Sequence, residues 1–462
     1  MTTLSRTTGT PTLGTKFTCS CWYKFSEVPA SNGSSAGSDR WLFGEYEDSN
    51  NHSYLYLRNS SAVGWYEKQS GSSVISKITN RFFQDMAAWY HIVLAVDTTE
   101  SASEDRVKLY VNGDRVTSWG TNTGGYSSSA TPRLGASSRT FYIGKATGYG
   151  SGQAYDGYMS HFHFSDGSAL AASDFGSTDS NSGAWKIKTA PTFTPGNNGF
   201  TIMQDGKTIT DQSANSNDFT LAEGTLSKSE DNPSNSFCTL NPNIPSGGGY
   251  QGNSSSWDHA ATEFTTNNSS SNYGTSFGTM QAYKGKWYYE VLYTSSSNQA
   301  TIGISGSTCR RNNVNDYLGD KTYDYGYSAT DGKAYSNGNS NYATGLGTYS
   351  GGDYIGVFYD LDNNKLYFSK NGVMANTTGI TIAAYTSTED FGYVPAVCEY
   401  NSGGNGTFAC NFGNGSFAGT QLTGTTYAGA DGLGIFKYDP TSITLDGVSK
   451  SFNALSTKGL NE

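Results

Sequence analysis

The sequence predicts an all-β protein made of two antiparallel β-sandwiches joined by a turn-rich linker. Three observations carry that prediction. The 462 residues include 57 Gly, 33 Tyr and 23 Phe, with Thr, Ser and Asn also abundant, which is the composition of strands and tight turns and not of helices. The length exceeds one ordinary hydrophobic core and suits two or three domains. Finally, "KLYVNG" at Lys108–Gly113 returns as "KLYFSKNG" at Lys365–Gly372. Each copy alternates its side chains and ends in Asn-Gly, the signature of a two-residue type I′ hairpin. Two hairpins so far apart imply two domains, because a solenoid would repeat at a short fixed period.

The elements follow in order. In FTCSCWYKF, Phe17, Cys19, Cys21, Tyr23 and Phe25 point one way and Thr18, Ser20, Trp22 and Lys24 the other, as in a half-buried antiparallel strand. Further strands read at 41–46, 53–58 and 62–67. WYHIVLAVD (89–97) is apolar on both faces, which suits the middle of a sandwich. The first hairpin, TFYIGK (140–145) and GYMSHFHF (157–164) complete this set. From Gly196 to Pro245 the pattern loosens into turns, with one or two strands left for the first sandwich. KWYYEVLY (286–293) then puts Trp287, Tyr289, Val291 and Tyr293 on one face, followed by QATIGIS, DYIGVFYD, the second hairpin, YVPAV and CNFG. The expected domains are 1–190, a connecting segment 191–245 partly packed on the first sandwich, 246–437, and a tail, 438–462.

Charge and cysteines exclude several classes. The formal charge is −10 and the pI about 5.0, and no Lys/Arg cluster offers the basic stripe a nucleic-acid binder needs. No apolar run approaches membrane-spanning length, and the opening MTTLSRTTGTPTLGTKF has no apolar core, so no secretory signal is expected. Six cysteines in so long a chain are not a disulfide scaffold. Cys19 and Cys21 share a strand face in poor geometry for a bridge. Cys398 and Cys410 flank a Gly-rich turn and could face each other, but buried free thiols are the expectation.

Specific runs of motifs carry resemblances. "WYHIVLAVDTT", "DRVKLYVNGDRVT" and "FYIGKATGYGSGQAYDGYMSHFHFSDGSAL" resemble the second half of a laminin-G-like domain, a concanavalin-type jelly roll, over residues 1–185. "YYEV", "IGIS", "GDYIGVFYDLDNNKLYFSKNG", "YVPAV" and "NFG" resemble a SPRY domain over 275–415, also a concanavalin-like sandwich. The opening "LSRTTGTPTLGTKFTCSCWYKFS", the crossing "DQSANSNDFT…SEDNPSNSFCTLNPN" and the closing "SFNALSTKGLNE" are similar to marine and freshwater bacteriophage virion proteins that pair these two modules. That resemblance implies a place on the virion surface after assembly in the host cytoplasm, and other virion proteins as partners.

Jelly rolls of this type include glucanases, whose acidic residues alternate along a strand. In "GEYEDSNN", Glu45 and Glu47 would share a face, Asp48 falls on the other and Ser49 takes the third place; a solvated loop rim explains them just as well. His161 and His163 share a face with Met159, which suggests zinc, yet two ligands are too few, so they read as polar residues on an outer sheet face. "GYGSGQAYDG" precedes a strand and not a helix, against a phosphate cradle. "DLDNN" (Asp360–Asn364) offers oxygen ligands of the kind calcium takes, and laminin-G-like relatives often bind calcium. An Asp/Asn-rich turn needs no metal; no cofactor is expected, with calcium left open.

The aromatic residues of the loop stretches carry the leading expectation. Trp41, Tyr46, Trp65, Trp119, Tyr126, Trp257, Tyr273, Tyr317 and Tyr323 offer flat apolar faces for sugar C–H groups, among Asn, Asp, Ser and Gly that hydrogen-bond hydroxyls adaptably. The expected function is a non-catalytic virion surface protein of the tail-fibre or tail-adhesin type, gripping host-surface glycan or protein, without nucleic-acid binding or membrane insertion. Homo-oligomerisation is left open. The alternatives are a capsid or tail decoration protein that binds neighbouring subunits and, third, a glycan-cleaving enzyme.

Overall fold

The computed structural model describes residues 2–26, 39–58, 61–147, 153–242, 255–266, 273–295, 299–306, 316–384, 392–400 and 405–461. The described residues form strands, turns and short 3-10 segments, with no α-helix among them, hence none long and apolar enough to cross a membrane. The chain divides into two compact units, Met1–Lys228 and Ser229–Glu462.

In the first unit an eight-stranded sheet runs in the order Trp119–Gly124, Ser72–Thr79, Val63–Gln69, Asn51–Leu57, Arg40–Asp48, Thr140–Ile143, Thr3–Thr7, Thr220–Glu223. A six-stranded sheet runs Phe200–Ile202, Gly157–Asp166, Lys16–Phe25, Tyr90–Asp97, Val107–Val111, Asp114–Arg115. Between them lie Phe17, Cys19, Cys21, Tyr23 and Phe25 from one strand, with Phe43, Leu55, Trp65, Phe141 and Phe162 from others. The period-2 pattern therefore puts its apolar face inward, as sheet-on-sheet packing requires.

The second unit repeats the plan. Its larger sheet runs Ser256–Asp258, Glu263–Thr265, Gly406–Asn411, Lys286–Ser295, Tyr354–Asp360, Lys365–Lys370, Val373–Met374, with Ile380–Thr381 and Asn453–Ala454 joined at the side. Its six-stranded sheet runs Tyr273–Phe277, Tyr393–Tyr400, Ala300–Gly306, Asp324–Ser328, Ala334–Ser336, Asn339–Ala343. Trp287, Tyr289, Val291 and Tyr293 all face this core.

Both repeated phrases are tight hairpins. Val111 pairs with Asp114 around Asn112 (φ 51°) and Gly113 (φ 86°); Lys370 pairs with Val373 around Asn371 (φ 51°) and Gly372 (φ 81°). Positive φ at both central residues is the type I′ geometry that Asn-Gly tolerates. Each hairpin glycine also lies beneath an aromatic ring. A Cβ on Gly113 would come within 2.5 Å of the Trp185 ring, and one on Gly372 within 2.5 Å of the Tyr438 ring. Those rings belong to segments that cover the outer face of the sheet carrying the hairpin. In the first unit Leu170, Phe175, Trp185 and Phe193 pack on Val93 and Tyr110; in the second Phe436, Leu445 and Phe452 pack on Tyr288, Phe358 and Tyr367.

The expected boundaries shift accordingly. Segment 191–245 divides between the units: Phe200, Ile202, Met203 and Phe219 join the first core, whereas Cys238 and Leu240 join the second. Segment 438–462, expected as a tail, is part of the second unit's cover, because Phe452 and Ala454 are buried and Asn453–Ala454 pairs in parallel with Trp287–Tyr288. Cys19, Cys21, Cys238, Cys398 and Cys410 are buried thiols outside any disulfide.

Candidate functional site

The outer face of the first unit's eight-stranded sheet carries a row read directly from the strand register. Thr220, Ser5, Tyr142, Gly44, Tyr54, Tyr66, Ser76 and Thr123 sit opposite one another across all eight strands. All keep some solvent exposure except Gly44. Their adjacent strand residues, Phe43, Leu55 and Trp65, belong to the opposite, inward set, so alternation turns these tyrosines outward. Gly44 has no room for a side chain, since a Cβ would meet the Ser53 carbonyl oxygen at 2.3 Å. It leaves a gap between Tyr142 and Tyr54, which stand two strand spacings, about 10 Å, apart. Along the same outer face the rings of the row and its neighbours stack: Trp41 on Tyr54 at 4.1 Å, Tyr54 near Tyr66 at 5.6 Å, and His52 5.7 Å from both tyrosines. Burial pushes the His52 imidazole below its ordinary range, offset by its bond to the Asp48 carbonyl. The row itself carries no charge, with hydroxyls at both ends and aromatic faces at the centre.

The structure distributes the nine expected aromatic residues unevenly. Trp41 and Tyr46 join these stacked rings, Trp41 fully buried and not, as expected, an exposed loop residue. Trp65 and Tyr126 are core residues, a correction to their expected place in exposed loops: Trp65 Nε1 donates to Tyr126 Oη at 3.3 Å, and Tyr126 Oη donates to Glu67 at 2.7 Å. Trp119 packs at the edge of the first core under the Lys77 ammonium, 4.7 Å from its ring. Trp257 leans on Phe264 and donates to Ser276 Oγ at 2.9 Å, and Tyr323 packs against the second core. Tyr273 and Tyr317 meet at 5.5 Å and gather Tyr400 (4.8 Å from Tyr273) and Tyr335 (5.8 Å from Tyr317). This half-exposed cluster lies on the outer face of the second unit's six-stranded sheet.

Sequence reasoning missed Tyr54, Tyr66 and Tyr142, the centre of the row. Each stands in a strand, not a loop, and the signal was the alternation in SYLYLR, AVGWYE and TFYIGK. Only the inter-strand register brings the three together.

The acidic stretch is committed to structure. Glu45 is 1% exposed and takes a two-pronged contact from Arg133, at 2.9 Å from Nε and 2.8 Å from the terminal nitrogen, which also donates to Glu47 at 2.7 Å. Arg139 adds a further contact to Glu47. Burial pushes the Glu45 carboxyl up against the pull of Arg133, while the Arg133 bond holds the exposed Glu47 down. Glu67, buried beside them, is raised to about 7 by burial. The three carboxylates lock the 126–139 loop over the end of the sandwich.

The histidines, expected on the outer face of a sheet, lie there buried beneath the covering segment. A bulge between Ser160 and His163, with His161 at φ 53°, turns His161 and His163 under the cover. His163 stacks on Phe175 at 5.5 Å; His91 stacks on Trp22 at 4.8 Å and on Trp185 at 6.0 Å. Trp185 Nε1 donates to His91 Nδ1 at 3.1 Å, so His91 carries its proton on Nε2, which faces Ser20 Oγ at 2.8 Å. Burial lowers His91 and His163 to about 3 and His161 to about 4. In "DLDNN" both carboxylates have lysine partners: Asp360 with Lys450 at 2.9 Å, and Asp362 with Lys286 at 2.8 Å. Among the described residues no three His, Cys, Asp or Glu side chains are grouped to hold a metal ion. Part of "GYGSGQAYDG", residues 148–152, lies outside the described residues.

An open sheet face and a covered one, twice over, define a two-module β-sandwich protein. Residues 3–174 match the model of the concanavalin A-like lectin/glucanases superfamily and residues 286–414 that of the SPRY domain. The chain therefore carries one laminin-G-like (concanavalin A-like) domain and one SPRY domain. Among curated proteins, the Drosophila melanogaster Ran-binding proteins 9/10 homolog is 33% identical over 89 residues, 19% of this chain and 9% of its own length. The chain thus spans under a tenth of that relative. Among solved structures, the SPRY domain of human HERC1 aligns at 20% identity and TM-score 0.25, covering 32% of this chain and 86% of that one. The heptameric SAP-like pentraxin of Limulus polyphemus aligns at 15% identity and TM-score 0.26, covering 37% and 72%.

Proposed function

We propose that this chain is a non-catalytic binding protein of a bacteriophage particle surface, whose first sandwich grips host-surface glycan on the Tyr142–Tyr54–Tyr66 row. The observation that carries the glycan reading is the row itself: three half-exposed rings in register, uncharged, flanked by Ser5, Thr220, Ser76 and Thr123. Rings of this kind take the apolar face of a sugar while hydroxyls satisfy its edge. Laminin-G-like and SPRY domains are typically binding modules for protein or glycan, which supports a non-catalytic role. The phage setting rests on the likeness of the opening, crossing and closing segments to virion proteins. Glycan-array binding by the full chain tests the reading. Binding that falls at least tenfold in Tyr54→Ala and Tyr66→Ala supports it; an array with no signal, or signal indifferent to both substitutions, rejects it.

A second reading has its own observation. The Tyr273–Tyr317–Tyr335–Tyr400 cluster, beside Asp316, Asp320 and Lys321, suits a protein surface better than a sugar, because tyrosines ringed by charge mark protein contacts. It would serve a decoration role, docking neighbouring virion subunits. Imaging of the particle, with position and copy number, separates the two readings.

A further inference from the structure

In the second unit, strand Tyr354–Asp360 and the hairpin formed by Ile443–Leu445 and Val448–Lys450 meet face to face. Phe358 packs edge-on against Phe452 at 5.2 Å. Two residues after Phe358 and two before Phe452 in the chain, Asp360 meets Lys450. Their side chains are 0% and 7% exposed, and Nζ lies 2.9 Å from Oδ2. The other lysines of this sheet edge are engaged elsewhere: Lys286 with Asp362, and Lys365 with Thr381 and the Gly379 carbonyl. Around the pair sit Tyr367, whose Oη accepts from Lys450 Nζ at 2.7 Å and donates to Asp446 Oδ2 at 2.5 Å, and Asp446 itself, 3.6 Å from Nζ. Asn363 donates its side-chain amide to both Asp360 oxygens, at 3.1 and 2.8 Å, and fixes the carboxyl in place.

We infer that Lys450 and Asp360 form an intramolecular isopeptide bond, a covalent modification site that ties the C-terminal cover to the sheet. A buried ion pair retains a desolvation cost that its mutual attraction seldom recovers in full. Joining the two as a neutral amide removes both charges. The pair is held at contact distance by two packed strands, so the reaction is intramolecular and oriented, the condition under which effective molarity is highest. One proton passes from the Lys450 ammonium to Asp360 Oδ2, leaving a neutral amine and a carboxylic acid. Nζ then bonds to Cγ, the Cγ–Oδ2 bond breaks, and the second amine proton leaves with that oxygen as water. Tyr367 Oη, which accepts from Nζ, and Asp446 Oδ2 beyond it draw this proton from the amine as the C–N bond forms, and the departing hydroxide recovers it as water. Ammonium and carboxylate become amide plus one water, with no oxidant, reductant or co-reactant.

Intact-mass measurement of the denatured full chain, followed by peptide sequencing, tests the inference. The expected result is a chain lighter by one water and a branched peptide joining Asp360 to Lys450. Lys450→Arg, which keeps the charge but cannot close the bond, returns the mass to that of the sequence. Asp446→Asn disrupts the relay and leaves a mixture of closed and open chains at early times. Asp446 and Gly447 are themselves a site of water loss by cyclisation, so a loss that persists in Lys450→Arg, or maps to Asp446, overturns the assignment. So does a wild-type chain at full sequence mass after prolonged incubation at neutral pH.

Discussion

Each sandwich covers the outer face of its hairpin-bearing sheet with a segment that follows the hairpin in sequence, but the two covers close over different polar chemistry. In the first unit, Phe175, Trp185 and Phe193 lie over three imidazoles, His91, His161 and His163. In the second, Phe436 and Phe452 lie over an opposite-charge pair, Lys450 with Asp360, and over Glu290. Glu290 accepts from Tyr288 Oη, the Asn411 amide and the Lys437 and Tyr438 backbone amides. The first cover therefore lies over groups that must stay neutral, the second over an ion pair, or the amide that replaces it, and a carboxyl that burial biases toward its protonated form. The same architecture thus predicts opposite sensitivities.

The largest effects come from the apolar layer common to both covers. Phe452 is 0% exposed and Phe175 2%, so truncating either to alanine costs about 3–5 kcal/mol. The loss is expected as faster amide exchange confined to the strands of its own unit. Spread of the effect into the other unit would break the comparison. Glu290 sharpens it: burial raises its carboxyl to about 7, and its four donors hold the cover through backbone amides of Lys437 and Tyr438. Glu290→Gln keeps the shape but turns one acceptor oxygen into a donor, facing donors already in place. It is expected to cost about 1–3 kcal/mol, again read from exchange within the second unit.

Acid is the next test. The three imidazoles sit below their unfolded value of about 6.5, His91 and His163 at about 3 and His161 at about 4. Between pH 6.5 and about 4 the unfolded first unit binds more protons than the folded one, so its stability falls as pH falls, by up to about 1.4 kcal/mol per pH unit for each group. Glu67, raised to about 7, works the other way, since its folded form gains the proton first. His52, also lowered by burial, joins the three imidazoles, and Glu45 and Asp39, also raised by burial, join Glu67; the four imidazoles outnumber the three carboxyls, and the first unit is expected to lose protection from pH 6 downward. The second unit has Glu290 raised and no such buried histidine trio among its described residues, so it is expected to keep or gain stability over the same interval. The geometry locates the weak point at His91, where a proton on Nδ1 would face the Trp185 indole N–H, donor against donor. His91→Phe is expected to flatten the first unit's acid transition; an unchanged transition would place the sensitivity elsewhere.

How much of this was legible in the sequence follows from what alternation can and cannot encode. FTCSCWYKF and KWYYEVLY announced their inward faces because period 2 is a local property, and both Asn-Gly hairpins were legible because φ > 0 restricts the residue type. The covers were not legible. Segments 170–193 and 427–461 lack a strong period, and their anchors, Trp185 on Gly113 and Tyr438 on Gly372, join residues far apart in the chain. SHFHF read as a plain strand because the bulge at His161, which turns both imidazoles under the cover, leaves no composition signal. Trp65 and Tyr126 read as loop aromatics because burial depends on Glu67 and Arg133, which the fold brings to them from other elements.

The smallest effect on stability separates the open faces from the covered ones. Tyr66 and Tyr142 lie across the eight-stranded sheet and are partly exposed. Truncating either to alanine removes cross-strand ring contacts of the kind that contribute roughly 0.2–1 kcal/mol, far below the cost at Phe175. Ligand binding is expected to respond in the reverse order, with Tyr66→Ala and Tyr142→Ala lowering affinity at least tenfold and Phe175→Ala leaving it unchanged while the unit stays folded. If Tyr66→Ala instead destabilised the first unit as strongly as Phe175→Ala, the row would be a part of the core. The open face would then have no more claim to a ligand than the covered one.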